Sequence, residues 1–336
     1  MKKNHASKKK KALRLLHLLW ILPLLLVLTV GYLMYVEPAF ETADRTEVQG
    51  SADWMAKLND GLALSEVVLP GTHDSATKNV QLAFFSKCQA LSIGEQLNAG
   101  YRYLDIRLGA DGDRLKLMHG FTNCTTSGWP WAGALYLDAV LEECYAFLRA
   151  HPTEAVVFAV KQEHGNESVK DFEALLNAYV QRQPEKWLLT DHIPTVGEAR
   201  GRLVLMRRYA DEANLGAQSG IPLLWDNQNG HDDVSKNLFV HDNGVYTLGV
   251  QDRYEYDTED KWTAFVIGQK VGVTGADAVA IHFLSTKGTA TYGHPYKFAR
   301  TLNQRLQLPG ALYGWIVVDF ASATLAERIY SENFAD

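Results

Sequence analysis

The chain has 336 residues, 47% hydrophobic and 21% charged, with 26 glycines and 10 prolines, a composition that excludes disorder and collagen-like repetition. Seven of the 33 lysines and arginines fall within the first fourteen residues, so the rest carries 26 basic against 39 acidic residues. A body that acidic excludes broad nucleic-acid binding, which needs a wide basic footprint, but leaves room for one small basic pocket.

The chain opens with a basic tail over 1–14 (Lys2, Lys3, Lys8 to Lys11, Arg14) and an apolar run over 15–36. No charged residue lies between Leu18 and Val36, close to the roughly 20 residues that cross a bilayer. Lysines ahead of such a run predict a cytoplasmic start and an exported remainder. The exit, Tyr35-Val36-Glu37-Pro38-Ala39, makes a poor cleavage site. The expectation is an uncleaved transmembrane signal anchor at 15–36, a linker at 37–52 and an extracellular body over 53–336. Cleavage, which would secrete the body, is the alternative. Outside the cell Cys124 and Cys144 could pair and leave Cys88, but spacing does not set connectivity, and unpaired buried thiols stay open. None of the three sits beside a histidine in a nucleophile pattern, and none has zinc-knuckle spacing.

Beyond the linker, short apolar, β-rich runs alternate with amphipathic stretches. The predicted strands are 65–69, 101–108, 115–118, 154–160, 202–207, 245–250, 278–284 and 313–319, apolar on both faces as a covered parallel sheet requires. Between them, Leu137, Val140, Leu141, Cys144, Phe147 and Leu148 recur at helical spacing until His151-Pro152. Phe172-Leu175-Leu176-Tyr179 and Phe298-Leu302-Leu306 predict two further helices. Eight strands alternating with helices predict a single distorted (β/α)8 TIM-type barrel. A doubly wound open sheet is the alternative, without a glycine-rich turn after the first strand to recommend it.

In such a barrel the carboxyl ends of the strands build the site. Here they read His73-Asp74, Asp105 with Arg107, His119-Gly120, Lys161 with Glu163, Arg207-Arg208, Asp252-Arg253-Tyr254 and Asp319. Two histidines with an arginine beside them suit phosphoryl transfer. One imidazole takes a proton from an attacking hydroxyl, the other protonates the departing oxygen, and the guanidinium spreads its donors over the phosphate. Carboxylates such as Asp319 and Asp74 would orient the rings.

Leu69-Pro-Gly-Thr-His-Asp-Ser75, Tyr103-Leu-Asp-Ile-Arg107 and Met118-His-Gly120 resemble the catalytic X region of bacterial-type phosphatidylinositol-specific phospholipase C. The resemblance continues through Val160-Lys-Gln-Glu163, Leu205-Met-Arg-Arg-Tyr209, Val250-Gln-Asp-Arg-Tyr254 and Gly314-Trp-Ile-Val-Val-Asp319. It implies that the inositol 2-hydroxyl attacks phosphorus, releasing diacylglycerol and a cyclic inositol phosphate. On matching positions His73 is the general base oriented by Asp319, and His119 is the general acid supported by Asp74. Arg107 contacts the phosphate with Asp105 beside it, while Lys161, Arg208, Asp252 and Tyr254 bind the inositol. An arginine at position 107, where calcium-using members carry a carboxylate, implies no metal and no cofactor. The implied partners are an inositol lipid and a membrane, with no nucleic acid and a monomeric chain. The alternatives are a phosphodiesterase for another polyol phosphodiester and a non-catalytic inositol-lipid-binding barrel. Leu82 to Phe85, Trp129 to Trp131 and Thr291 to Tyr296 are apolar or aromatic rim segments suited to a lipid surface or to packing against the wall. His282 is expected inside the barrel.

Overall fold

The computed structural model describes residues 2–35, 48–129, 131–228, 239–271, 273, 275–289 and 293–335. Twelve strands form one sheet: β1 (Leu69–Thr72), β2 (Tyr103–Asp111), β3 (Arg114–His119), β4 (Thr122–Asn123), β5 (Val156–Gln162), β6 (Trp187–Leu188), β7 (Leu203–Arg207), β8 (Ile221–Pro222), β9 (Phe239–Asp242), β10 (Thr247–Gln251), β11 (Ala278–Phe283) and β12 (Trp315–Val318). The helices are α1 (Lys2–Tyr35), α2 (Ala83–Ser86), α3 (Ile93–Asn98), α4 (Leu137–Ala150), α5 (Val169–Val180), α6 (Val196–Ala199), α7 (Thr258–Val271), α8 (Tyr296–Leu306) and α9 (Ala323–Tyr330).

The wall runs β7-β5-β2-β1-β12-β11-β10 and is parallel throughout. Beyond β7 it splits, β6 pairing with one end and β8 with the other. At the opposite edge β9 runs antiparallel to β10. Among the described residues no ladder closes the gap between β8 and β10; side chains bridge it instead. Gln228 Nε2 donates to the carbonyl of Val250 at 3.1 Å, its Oε1 accepts the N–H of Asp252 at 2.9 Å, and the Tyr246 hydroxyl donates to the carbonyl of Pro222. The barrel is thus distorted, as expected.

Three expectations change. The run 115–118 is no barrel strand: β3 folds back antiparallel on β2 through Gly112, whose φ of 65° favours glycine. The first strand starts at Leu69 because Leu64–Glu66 is taken up by a 3-10 turn. Within β1, Gly71 is required by close approach, since a Cβ there would stand 2.9 Å from the Cβ of Tyr103. The expected transmembrane anchor is not shown as a span: among the described residues no helix is long and apolar enough to cross a membrane. Most of the expected linker, 37–47, lies outside the described residues.

Side chains along the strands alternate between two cores. Inward, Val157 and Ala159, Val204 and Met206, Leu248 and Val250, and Ile281 and Phe283 fill the barrel. Outward, Leu104, Ile106 and Leu108, Val156, Phe158 and Val160, and Leu203 and Leu205 pack under α4 and α5. This period of two decides which polar residue enters the site. Asp105 and Arg107, Lys161, Arg208 and Asp252 are the next inward steps on their strands. At the other end of the wall, Arg102 is fully buried against Glu154 at 2.7 Å and donates to the carbonyls of Leu97, Tyr101 and Ala52.

Candidate active site

The strand ends open on a cavity of about 740 Å³ lined by His73, Arg107, His119, Lys161, Arg208, Asp252, Tyr254 and Asp319 among others. Asp74 and Asp105 are buried directly behind it. All ten residues singled out from the sequence therefore meet at one mouth of the barrel. The choice between Arg207 and Arg208 is settled by the alternation: Arg208 enters the cavity, while Arg207 turns outward and donates to the carbonyl of Tyr209.

His73 and His119 stand with ring centroids 6.4 Å apart and planes nearly perpendicular. His73 Nδ1 donates to Asp319 Oδ1 at 2.8 Å, which leaves Nε2 to accept from Arg107 Nη2 at 2.8 Å. Burial works against charging this ring, but Asp319 and then Asp74 outweigh it and raise the pKa above the ordinary 6.5. The acceptor position at Nε2 and the carboxylates that favour its charged form together give His73 the character of a proton acceptor. On His119, Nδ1 donates to the carbonyl of Ser86 at 2.7 Å, which points Nε2 toward Asp74 Oδ2 at 3.5 Å.

Asp74 lies between the rings, in the left-handed region at φ 43°, with its N–H bonded to Asp105 Oδ2 at 3.1 Å. Its Oδ2 is 3.3 Å from His73 Nε2, and its Oδ1 is 3.1 Å from Arg107 Nε. Asp74 therefore touches both imidazoles, and the Ser86 carbonyl orients His119. Arg107 spans Asp74, Asp105 at 3.0 Å and Glu163 at 3.2 Å. Burial opposes its charge, but the three carboxylates raise its pKa well above the usual value. In return, burial would push Asp105 up, but Arg107 and Arg208 hold it well below the usual carboxylate range. Glu163 is lowered despite burial by Arg107 and Lys161, and it accepts the N–H of Gly120, which ties β5 to the turn after His119.

The far side of the cavity is a polar cradle. Arg208 donates to Asp105 Oδ1 at 3.2 Å and lies 3.8 Å over the ring of Trp225, whose Nε1 donates to Asp252 Oδ2 at 3.2 Å. Lys161 pairs with Glu163 at 2.5 Å, and the Tyr254 hydroxyl donates to Asn227 Oδ1 at 2.9 Å. Sequence reasoning missed Trp225 and Asn227, because they follow the two-residue strand β8, which has no periodic signature. It also missed Cys88, which lines the cavity with Sγ 4.0 Å from His119 Nδ1. Burial holds this thiol well above its usual pKa, so it is protonated rather than a nucleophile. All three cysteines are free and buried, so Cys124 and Cys144 are not paired.

Among the described residues, His73, Asp74 and Cys88 bring ligand atoms within 4.8 Å of one another. The Arg107 guanidinium already contacts both His73 and Asp74, so a cation there would face a fixed positive charge. At the rim, Phe85 and Phe121 line the cavity and are exposed, as are Trp129 and Trp131, whose rings stack at 6.2 Å. Residues 291 and 292 of the third rim segment lie outside the described residues. His282 corrects its expectation: it faces outward from β11 beneath α7, its Nδ1 2.9 Å from where a Cβ on Gly268 would stand.

The fold is a TIM-type α/β barrel with its ionisable groups gathered at the carboxyl ends of the strands. Residues 61–217 match the family model described as PI-PLC X 1. A relative named 1-phosphatidylinositol phosphodiesterase, from Staphylococcus aureus (strain Newman), is 28% identical over 296 residues, covering 81% of this chain and 89% of its own. Another of that name, from Listeria monocytogenes, is 28% identical over 197 residues, covering 53% of this chain and 58% of its own. Among solved structures, a mutant phosphatidylinositol-specific phospholipase C from Staphylococcus aureus aligns with TM-score 0.69 at 24% identity, over 84% of this chain and 98% of the other. The Listeria monocytogenes enzyme aligns at 0.63 and 20% identity over 84% and 98%. At these identities the structural likeness establishes the barrel.

Proposed function

We propose that this chain is a phosphatidylinositol phospholipase C that cleaves its lipid by intramolecular attack. The observation that carries the reading is the convergence of His73, His119 and Arg107 on one cavity, with the two rings 6.4 Å apart. That spacing leaves room for one phosphate between two proton-transfer groups. His73 Nε2 takes the proton of the inositol 2-hydroxyl, and the resulting positive ring is stabilised by Asp319. The oxygen attacks phosphorus and the bond to the diacylglycerol oxygen breaks. His119 Nε2 delivers a proton to that oxygen, releasing diacylglycerol and a cyclic inositol phosphate. Arg107 turns its donors from His73 to the phosphate, which neutralises the growing charge and uncovers the base in one movement. Asp105 holds Arg107 in place, and Asp74 balances the charge of both rings.

Lys161, Arg208, Asp252 and Tyr254 bind the inositol, with Trp225 supporting Arg208 from beneath. The chain acts without a metal, Arg107 supplying the charge at the phosphate. The body over 53–336 works on the outer side of a membrane to which the apolar segment 15–36 anchors it. The exposed leucines of α1, Leu18 to Leu28 among them, support that placement.

Turnover tests the reading. Phosphatidylinositol, incubated with and without chelator, should release diacylglycerol and cyclic inositol phosphate equally well. Release from other phospholipids, or from none, would refute it.

A further inference from the structure

Behind the cavity, on the outer face of the wall, a lysine is buried whose two acceptors are neutral. Lys261, on α7, is fully buried. Its Nζ donates to Gln251 Oε1 at 2.9 Å and to the carbonyl of Arg253 at 3.0 Å. Gln251, equally buried at the end of β10, completes the knot: its Oε1 also accepts the N–H of Arg253 at 3.0 Å, and its Nε2 donates to the carbonyl of Phe283 at 2.8 Å. Two groups, Lys261 Nζ on its carbonyl and Gln251 Oε1 on its N–H, thus hold the single residue between Asp252 and Tyr254, both of which line the cavity. The flanks are fastened from elsewhere, Asp252 by Gln228 and Tyr254 by Thr286 and Lys287.

A buried ammonium is costly to keep, and an apolar side chain could fill the same space without that cost. Burial indeed pulls Lys261 down to about 7, against the pull of Asp252 and Asp319. What an apolar side chain could not do is hold the carbonyl of Arg253, which would otherwise lose this partner and free the peptide to rotate.

We propose that Lys261 is a positioning residue for the headgroup end of the cavity, pinning the turn 252–254 from behind the sheet so that Asp252 and Tyr254 face the polyol ring. This rests on the substrate reading given under Proposed function. Asp252 and Tyr254 hold the ring in ground and transition state alike, so loosening them weakens binding and spares the chemical step.

The test uses the full chain and phosphatidylinositol. Lys261→Met should raise KM tenfold or more with kcat within threefold of wild type, and Lys261→Arg, which retains donors, should recover part of the loss. Combined with Asp252→Asn, the KM effect of Lys261→Met should be less than additive, because both act through one turn. Hydrogen exchange should quicken at the amides of Arg253 and Tyr254 and stay unchanged along α7; a merely structural lysine would instead loosen the helix. Should Lys261→Met not fold, Lys261→Gln, which carries a donor on a shorter arm, serves for the same comparisons. A KM within twofold of wild type, full additivity, or exchange confined to α7 would overturn the inference. A wild-type chain that cleaves no phosphatidylinositol would instead overturn the substrate reading, so the two failures are distinguishable.

Discussion

Replacing Asp319 by asparagine keeps the shape of the side chain and removes the charge that faces His73 Nδ1 at 2.8 Å. A charge-assisted hydrogen bond of this kind is worth about 1.5–3 kcal/mol. At about 1.36 kcal/mol per pH unit, that corresponds to roughly one to two units on His73. Burial is the largest influence on the ring and lowers its pKa; Asp319, followed by Asp74, is what lifts it above 6.5. In Asp319→Asn, burial and Arg107 prevail, and the pKa falls below 6.5. Because the base must be neutral, activity rises as pH passes through this pKa. The rising limb of kcat/KM against pH, measured on dispersed short-chain phosphatidylinositol, should lie above 6.5 in the wild type and about one to two units lower in the variant. An amide nitrogen turned toward the ring would also stabilise the wrong tautomer, with the proton on Nε2; in a related arrangement that costs on the order of 10⁴-fold, and here a plateau lower by about 10²–10⁴-fold is expected. The same pair stabilises the fold fully below pH 6.5 and loses that contribution as pH rises through the raised pKa. The gap in thermal stability between wild type and variant should therefore narrow with rising pH. An unmoved limb with a plateau within tenfold of wild type would refute Asp319 as the partner that sets His73.

Arg107→Met takes the guanidinium from the buried carboxylate of Asp74 and leaves Asp105 with Arg208 alone, and should cost about 3–5 kcal/mol in denaturant unfolding, together with a loss of about 10³-fold or more in turnover; a variant as stable as the wild type would contradict the ion-pair assignment. Trp225→Leu removes the ring 3.8 Å beneath Arg208 and the donor to Asp252, so KM should rise about tenfold, from a cation–π contact of about 0.5–2 kcal/mol and one hydrogen bond, with little change in kcat. In denaturant without reductant all three cysteines should react with a thiol reagent, as free thiols do; one reactive thiol would mean that Cys124 and Cys144 are bonded.

Much of the site was legible because a parallel barrel imposes a simple rule on its strands. Once Leu104, Ile106 and Leu108 face outward, Asp105 and Arg107 must face inward, and an inward charge at a strand's carboxyl end has no place except the mouth. What the rule could not see was pairing direction. Residues 115–118 are apolar but for Lys116, and Asp111-Gly112-Asp113 marks them as the return arm of a hairpin. The same alternation in the structure sets Arg208 inward and turns His282, which follows inward-facing Ile281, out beneath α7. Contacts made across the barrel leave no local trace. The approach of Cys88 to His119 and the stacking of Trp225 under Arg208 join segments far apart in sequence, and neither residue stands in a periodic element.

The central claim is that two imidazoles and one guanidinium act on a single phosphorus through the substrate's own hydroxyl. Following the reaction on phosphatidylinositol by phosphorus NMR tests this most directly. The expected first product is a cyclic phosphodiester, formed by the wild type and absent with His73→Ala or His119→Ala although both variants stay folded. An acyclic inositol phosphate as first product, or cyclic product formed at the wild-type rate by either variant, would contradict it.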